Sequence, residues 1–295
     1  MILYNDYLRS KYGCRVYRIA LDAGFSCPNI KDGGCIYCNS KGSRASYINP
    51  ALPIQKQLET RMKYLKETKS AKKFIAYFQA HTNTYAPIDK LKAAYDQVTG
   101  LDGIVGISIG TRPDAIDREK LKLIASYKDR YEVWIEYGLQ SVHDKTLKLI
   151  NRGHTFDDFL NAVKLTREFG ILVCAHVILG LPCETKEEMM STGKKLAELK
   201  IEGVKMHLLH VLKGSKLEEL YRKGEVALLE QDEYVELARE FLNNLSPDTI
   251  IQRLTGQGSR DDHVAPPWAL DKLGTINKIL TRLESIQQWN LTWLE

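Results

Sequence analysis

Six short apolar segments, separated by five stretches of helical periodicity, are the strongest constraint on the fold of this 295-residue chain. Residues 16–21 alternate as a strand, and 73–78, 103–109, 131–137, 172–179 and 203–211 are short runs rich in Val, Ile or aromatic side chains. Between them, Ile54, Leu58, Met62 and Leu65 recur at helical spacing, and 89–98, 116–127, 156–169 and 186–199 continue the pattern. Strands alternating with helices of this length predict a parallel sheet with right-handed crossovers. Periodicity alone leaves both a barrel and a doubly wound open sheet in play. After Lys213-Gly214-Ser215 the alternation stops. Tyr234, Ala238, Phe241 and Leu245 then mark one helix, and Leu270, Leu273, Ile276, Leu280 and Leu283 another, with a short strand over 249–254 and a loop over 256–260 between them. We expect a first domain over residues 1–215 and a mainly helical extension over 216–295 packed on it.

Directly after the first strand, three of the six cysteines fall in the stretch Cys27-Pro28-Asn29-Ile30-Lys31-Asp32-Gly33-Gly34-Cys35-Ile36-Tyr37-Cys38. Thiolates this close suit a soft metal or an iron–sulfur cluster, and Gly33-Gly34 lets the backbone turn tightly enough for Cys35 and Cys38 to face one centre. Cys14 lies upstream of the strand, so the set reads as three ligands with one coordination position left open. Zinc is the next reading, although no His is near in sequence. A thioredoxin-like CxxC leaves Cys27 without a role. A disulfide is disfavoured because no secretory signal precedes the loop and a reducing compartment is expected.

Composition adds bounds. With 44% hydrophobic and 27% charged residues the chain has ample core, and 42 basic against 37 acidic residues permits an anionic partner without demanding one. Apolar runs such as Val177-Ile178-Leu179 are far short of the roughly 18 residues of a membrane span, so no membrane partner and a cytoplasmic location are expected.

Three cysteines after a first strand, the last two spaced CxxC around Tyr37, resemble the signature of radical S-adenosylmethionine (SAM) enzymes, although seven residues separate Cys27 from Cys35 where CxxxCxxC is the commonest spacing. Cys27-Pro28-Asn29, Gly110-Thr111-Arg112-Pro113-Asp114, Glu136-Tyr137-Gly138-Leu139-Gln140-Ser141, Asn151-Arg152-Gly153-His154-Thr155 and Gly180-Leu181-Pro182 resemble the YhcC/YtqA (MnmL) group, which is related to the elongator catalytic subunit and the oxygen-independent coproporphyrinogen oxidases. The resemblance spans nearly the whole chain. It implies an α/β fold, a partial (β/α)6 barrel, in which Cys27, Cys35 and Cys38 hold a 4Fe-4S cluster whose open iron is chelated by SAM. It further implies reductive cleavage of SAM to a 5′-deoxyadenosyl radical, flavodoxin or ferredoxin as electron donor, and the tRNA anticodon loop as partner, with the C5 side chain of a wobble uridine as target. Radical chemistry on a small metabolite is the alternative; a non-catalytic zinc or cluster nucleic-acid-binding protein is a third reading that the six β/α units argue against.

In such a barrel the loops after the strands build the site. Residues 79–85 lack the glycines with which relatives hold the amino group of SAM, so Gln79 and His81 compete with a plain capped turn. Gly110 stands where relatives have a ribose-binding Glu, which shifts that role to Thr111 or Arg112; Asp114 reads alternatively as the cap of the following helix. Gln140 and Arg152 match in spacing the Gln and Arg that contact SAM in the coproporphyrinogen oxidases, and a guanidinium can grip a carboxylate through two parallel hydrogen bonds. His154 reads as a SAM or substrate contact or as a helix cap. Glu136, in mid-strand, must find a partner or protonate. His176 matches in position an acidic SAM contact of those oxidases, and Gly180 would let adenine approach the backbone. Cys174 reads as buried filler and Cys183 as a loop thiol, while alternation puts His207 and His210 on opposite faces. Lys41, Arg44, Lys213, Arg253 and Arg260 are the candidate phosphate contacts around the barrel mouth.

Overall fold

The computed structural model describes residues 2–256 and 260–284; residues 257–259 of the expected loop and 285–295 of the expected extension lie outside the described residues. The chain opens with β1 (Ile2–Leu3) and α1 (Tyr4–Tyr12), followed by β2 (Val16–Leu21), α2 (Ile54–Lys69), β3 (Lys73–Phe78), α3 (Ile88–Asp96), β4 (Ile104–Thr111) and α4 (Arg118–Ala125). Next come β5 (Glu132–Gln140), α5 (Asp144–Leu149), α6 (Phe156–Glu168), β6 (Leu172–Leu179), α7 (Lys186–Glu198) and β7 (Gly203–Leu208). The C-terminal part holds β8 (Val211–Leu212), α8 (Lys216–Arg222), α9 (Gln231–Asn243), β9 (Ile250–Arg253), β10 (His263–Ala265) and α10 (Lys272–Glu284).

Eight strands form one curled parallel sheet in the order β1-β9-β7-β6-β5-β4-β3-β2. The six expected strands are β2 to β7. The strand expected near 249–254 does more than decorate the extension: as β9 it joins the main sheet beside β7, and β1 pairs with it in turn. The sixth strand is shorter than expected, ending at Leu208, because the Leu209 N–H turns to donate to the Leu179 carbonyl and Val211–Leu212 then pair antiparallel with β10. Helices α4, α6 and α7 begin where the sequence supplies caps. Asp117 caps α4, and Thr155 with Asp158 and Thr185 with Glu188 form capping boxes. Asp114 is therefore not the cap expected for the fourth helix.

Alternation divides each strand between two environments. Ile19 and Leu21 of β2, Phe74 and Phe78 of β3, Ile135 and Tyr137 of β5, Val177 of β6 and Met206 of β7 join Leu58, Tyr95, Phe159, Tyr234 and Phe241 in the layer between sheet and helices. The opposite, concave face is apolar at one end, where Trp134, Ile75 and Cys174 pack with Tyr4 and Leu8 of α1. Higher in the strands the concave face carries charge. Arg18 of β2 donates to Gln252 of β9 at 2.9 Å although six steps of the sheet separate those strands, which only a curled sheet permits. Among the described residues no helix is long and apolar enough to cross a membrane.

Candidate functional site

The cysteine loop leaves the C-terminal end of β2. Cys27 precedes a 3-10 turn over Pro28–Asp32, and Gly33 and Gly34 follow with φ of 87° and 70°. Two successive left-handed residues reverse the chain cheaply only without a Cβ, and they return Cys35 to the start of the turn. The buried Cys35 Sγ accepts from Asn29 Nδ2 and Arg152 Nη1, each at 3.6 Å. Its thiol is in hydrogen-bonding contact with Cys38, and Cys27 is near enough to act on the charge of Cys38. The Cys38 thiol, then Arg152, hold the Cys35 thiol down to about 4 against the effect of burial. All six cysteines are free. Three convergent thiols with N–H donors aimed at sulfur are a donor set that fits an iron–sulfur cluster.

Two asparagines that the sequence reading did not single out tie this loop down. Asn29 Nδ2 donates to the Asn151 carbonyl at 2.6 Å, while Asn151 Nδ2 donates to the carbonyls of Asp32 at 2.9 Å and Gly34 at 2.7 Å. Their signal was present, since Asn29 and Asn151 sit inside the strings that carried the family resemblance, beside Cys27 and Arg152.

The end of β5 supplies the opposite wall. Its register slips between Gly138 and Gln140, and Gln140 adopts φ of 77°, a conformation a non-glycine residue holds only where its surroundings impose it. The Gly138 carbonyl accepts from Arg152 Nε at 3.1 Å and Nη2 at 2.7 Å, and His154 Nε2 lies 3.0 Å from it. A Cβ on Gly138 would meet Arg152 Nη2 at 2.5 Å and Gln140 Nε2 at 2.8 Å, so the glycine makes room for both side chains. Burial, with Arg152 beside it, pushes the His154 imidazole down to about 4, and Thr155 rather than His154 caps α6. Arg112 grips Asp114 with two bonds of 2.9 and 2.7 Å and donates to the Arg152 carbonyl at 2.6 Å. Thr111 shares a 2.6 Å hydrogen bond with Thr84. Cys35, Gln140, Arg152 and His154 are thus assembled at one place, with Arg112 and Thr111 behind them.

The Radical SAM superfamily matches residues 27–196, from the first cysteine of the loop to α7, and the Radical_SAM C-terminal domain matches residues 201–285. The chain belongs to the radical SAM superfamily. It is similar to the uncharacterized protein MJ0486 of Methanocaldococcus jannaschii, with 43% identity over 94% of this chain and 87% of that one. It is also similar to YtqA of Bacillus subtilis, with 40% identity over 96% of this chain and 90% of that one. A shorter match, 29% identical over 45% of this chain and 25% of the other, is to the tRNA uridine(34) acetyltransferase of M. jannaschii. Among solved structures, the archaeal Elp3 of Methanocaldococcus infernus shares the fold at a TM-score of 0.63, with 19% identity over 89% of this chain and 63% of that one. Radical SAM enzymes use a 4Fe-4S cluster and SAM, and those are the cofactors of this protein.

Below the mouth of the radical SAM barrel, the concave face carries the remaining predicted residues. Gly138, His176, Lys205 and Arg253 are successive cross-strand partners on β5, β6, β7 and β9. Glu136, fully buried, accepts from His176 Nε2 at 2.8 Å and is in close ion-paired contact with Arg18 and Lys205. Arg18 and Lys205 lie 4.0 and 4.1 Å from the ring centroid of Tyr77. The rings of His176 and His207 pack at 5.2 Å with a 37° tilt, whereas His210 turns away to pack on His263, so one of that pair faces the interior. Burial, then the Lys205 charge, pulls His176 well below the usual imidazole range.

Gly180 has φ of 84°, and a Cβ there would meet Leu229 at 2.7 Å. A cavity of about 540 Å3 bounded by Gly180, Leu181, Cys183, Met189, Leu229 and Leu237 lies on that side, with Cys183 exposed. In the second loop Gln79 exchanges hydrogen bonds with the backbone and side chain of Ser43. The expected ring of phosphate contacts is thinner than the sequence suggested. Lys41 is paired with Asp262 at 2.8 Å, Arg44 is paired with the buried Asp22, and Lys213 and Arg260 are exposed. Arg253, half-buried, sits in register with Lys205 inside the barrel rather than on the rim, acting on the charges of Lys205, His176 and His207.

Proposed function

We propose that this radical SAM enzyme holds its cluster on Cys27, Cys35 and Cys38 and modifies the C5 side chain of a wobble uridine in tRNA. The observation that carries the site assignment is the position of Arg152, which spans the Gly138 carbonyl and the Cys35 sulfur. One guanidinium thereby couples the cluster loop to the wall where Gln140 and His154 stand. Gln140, Arg152 and His154 are the SAM contacts of this reading. Arg112 fixes the Arg152 backbone, Thr111 is held beside it by Thr84, Gly180 gives the adenine side its close approach, and Glu136 and His176 set the charge of the floor below.

When bound, the cluster and SAM supply a 5′-deoxyadenosyl radical by one-electron reduction, from a flavodoxin or ferredoxin. The chain's own work is to orient and to exclude water. Asn29 and Asn151 hold the thiols in place, the Arg152 fork keeps the β5 terminus from relaxing, and the curled sheet shields the interior. The tRNA target is favoured by the match to a tRNA uridine(34) acetyltransferase over 45% of this chain. An anticodon base has to leave its stack to reach such an interior. On this reading residues 216–256 and 260–284 extend the barrel of residues 1–215, packing on it and adding β9 to its sheet.

Two measurements test the proposal. Anaerobic reconstitution should give SAM cleavage to 5′-deoxyadenosine and methionine under a low-potential reductant. Comparative mass spectrometry of tRNA nucleosides from cells with and without the protein should reveal one wobble uridine derivative that changes. An unchanged nucleoside profile with intact SAM cleavage would transfer the chemistry to a small metabolite.

A further inference from the structure

The interior of the barrel holds more positive charge than it neutralises. Arg18, Lys205 and Arg253 face one another there, and Glu136 is the carboxylate that meets them. It is already shared between Arg18, Lys205 and His176. Arg253 makes no hydrogen bond or ion pair among the described residues, although its neighbours are Tyr77, Arg18, Cys174 and Tyr234. Arg253 is half-buried, and a cation drawn even partly out of water without a partner is costly, so a protein that keeps one has a use for it.

The polar atoms around it are also unmatched. His207 Nε2, Gln252 Nε2 and Arg18 Nε are buried without a hydrogen-bond partner. Gln252 spends its oxygen on Arg18, so its amide N–H groups remain as donors. All of these side chains belong to the concave face, Gln252 and Arg253 together because the β7–β9 register slips between Val204 and Lys205 and puts Arg253 opposite Lys205. Arg18 lies three residues before the end of β2, His176 three before the end of β6 and Lys205 three before the end of β7. That sets the row ~10 Å below the strand ends where the cysteine loop begins.

We propose that Arg253, with Gln252, His207 and Lys205, forms a subsite in the barrel floor that binds a carboxylate carried by the substrate. The inference rests on the reading of the barrel interior as the place where the substrate is held. A carboxylate matches the set because a planar two-oxygen anion satisfies an Arg fork and two neutral donors at once. Its single charge also suits the excess. Burial and the adjacent Arg18 pull the Lys205 ammonium down to about 7 despite its contact with Glu136, so the surplus is one charge when Lys205 is neutral and two when it is protonated. A phosphate of the tRNA backbone would bring its attached sugars into a space walled by eight strands, whereas a carboxylate at the end of a base side chain arrives on a slender stem.

The test uses the reconstituted holoenzyme with SAM bound, titrated calorimetrically with sodium acetate, with inorganic phosphate and with ethylammonium chloride as probes. Acetate should bind saturably, and Arg253→Met should weaken it about tenfold or more, with Arg253→Lys in between. Iron content and far-ultraviolet circular dichroism should match the wild type, because Arg253 has no partner to leave stranded. Acetate binding equal in wild type and Arg253→Met, binding of phosphate or ethylammonium but not acetate, or no acetate binding would each overturn the subsite. The probes require no turnover and no tRNA. A failed nucleoside comparison would therefore remove the tRNA assignment and leave this result standing, and a failed acetate titration would remove the subsite alone.

Discussion

Arg152 Nη1 lies 3.6 Å from the Cys35 sulfur across 117 residues of sequence, while the other two nitrogens of the same guanidinium, Nε and Nη2, donate to the Gly138 carbonyl. Lys can reproduce the charge but not the fork. Arg152→Lys should lower SAM affinity by about 10- to 100-fold, in line with ~1.5–3 kcal/mol for a charge-assisted hydrogen bond. Equilibrium dialysis at fixed iron content is the measurement, and unchanged affinity would reduce Arg152 to a loop anchor.

Cluster content follows the three loop cysteines on this reading. Anaerobic reconstitution should give about four irons per chain, as a cubane requires. Cys27→Ala, Cys35→Ala or Cys38→Ala should each abolish SAM cleavage. Cys14→Ala and Cys174→Ala should leave it largely intact, since both lie outside the loop and Cys174 is buried among the concave-face residues packed by α1. Tightly held zinc in place of iron would refute the assignment.

The loop anchor is testable apart from the chemistry. Asn29→Ala removes the 2.6 Å bond to the Asn151 carbonyl and one donor to Cys35, which should cost about 1–3 kcal/mol in unfolding free energy. Gly153→Ala should be worse, because φ there is 72° and the new methyl would collide with the Asn29 side-chain oxygen. Urea titration of the two variants checks the order. A neutral Gly153→Ala would mean the loop relaxes freely.

Lys205 gives the chain a pH signature. Its folded value of about 7 lies below the ~10.4 of an unfolded lysine, so between those values the unfolded chain binds the extra proton and stability should rise with pH. The groups facing it are Arg18, Arg253, Glu136, His176, Cys174 and Tyr77. Burial would raise the Tyr77 hydroxyl, but Lys205 and Arg18 outweigh it and lower it, which adds a slope of the same sign. Unfolding free energy measured from pH 7 to 10 should climb by up to ~1.4 kcal/mol per unit for one proton, and Lys205→Met should flatten that climb. Parallel curves for the two proteins would show that Lys205 stays charged when folded.

Local signals in the chain determined the β/α alternation, the cysteine loop and the residues at the strand ends. Strand period, helix period and two adjacent glycines depend on neighbours within a turn or two, so β2, β3 and β6 have the limits expected from alternation alone. What only the tertiary structure decided is which distant segments meet. The placement of β9 beside β7, and of β1 beside β9, arises from sheet pairing that a four-residue and a two-residue strand do not announce. The same holds for Arg253, which the sequence places among the phosphate contacts of the mouth yet which stands opposite Lys205 because the register of β9 carries it inward. Charge on a side chain is a local property; whether water or a curled sheet surrounds it is settled by chain segments roughly 50 to 230 residues away, as Gln252 meeting Arg18 shows.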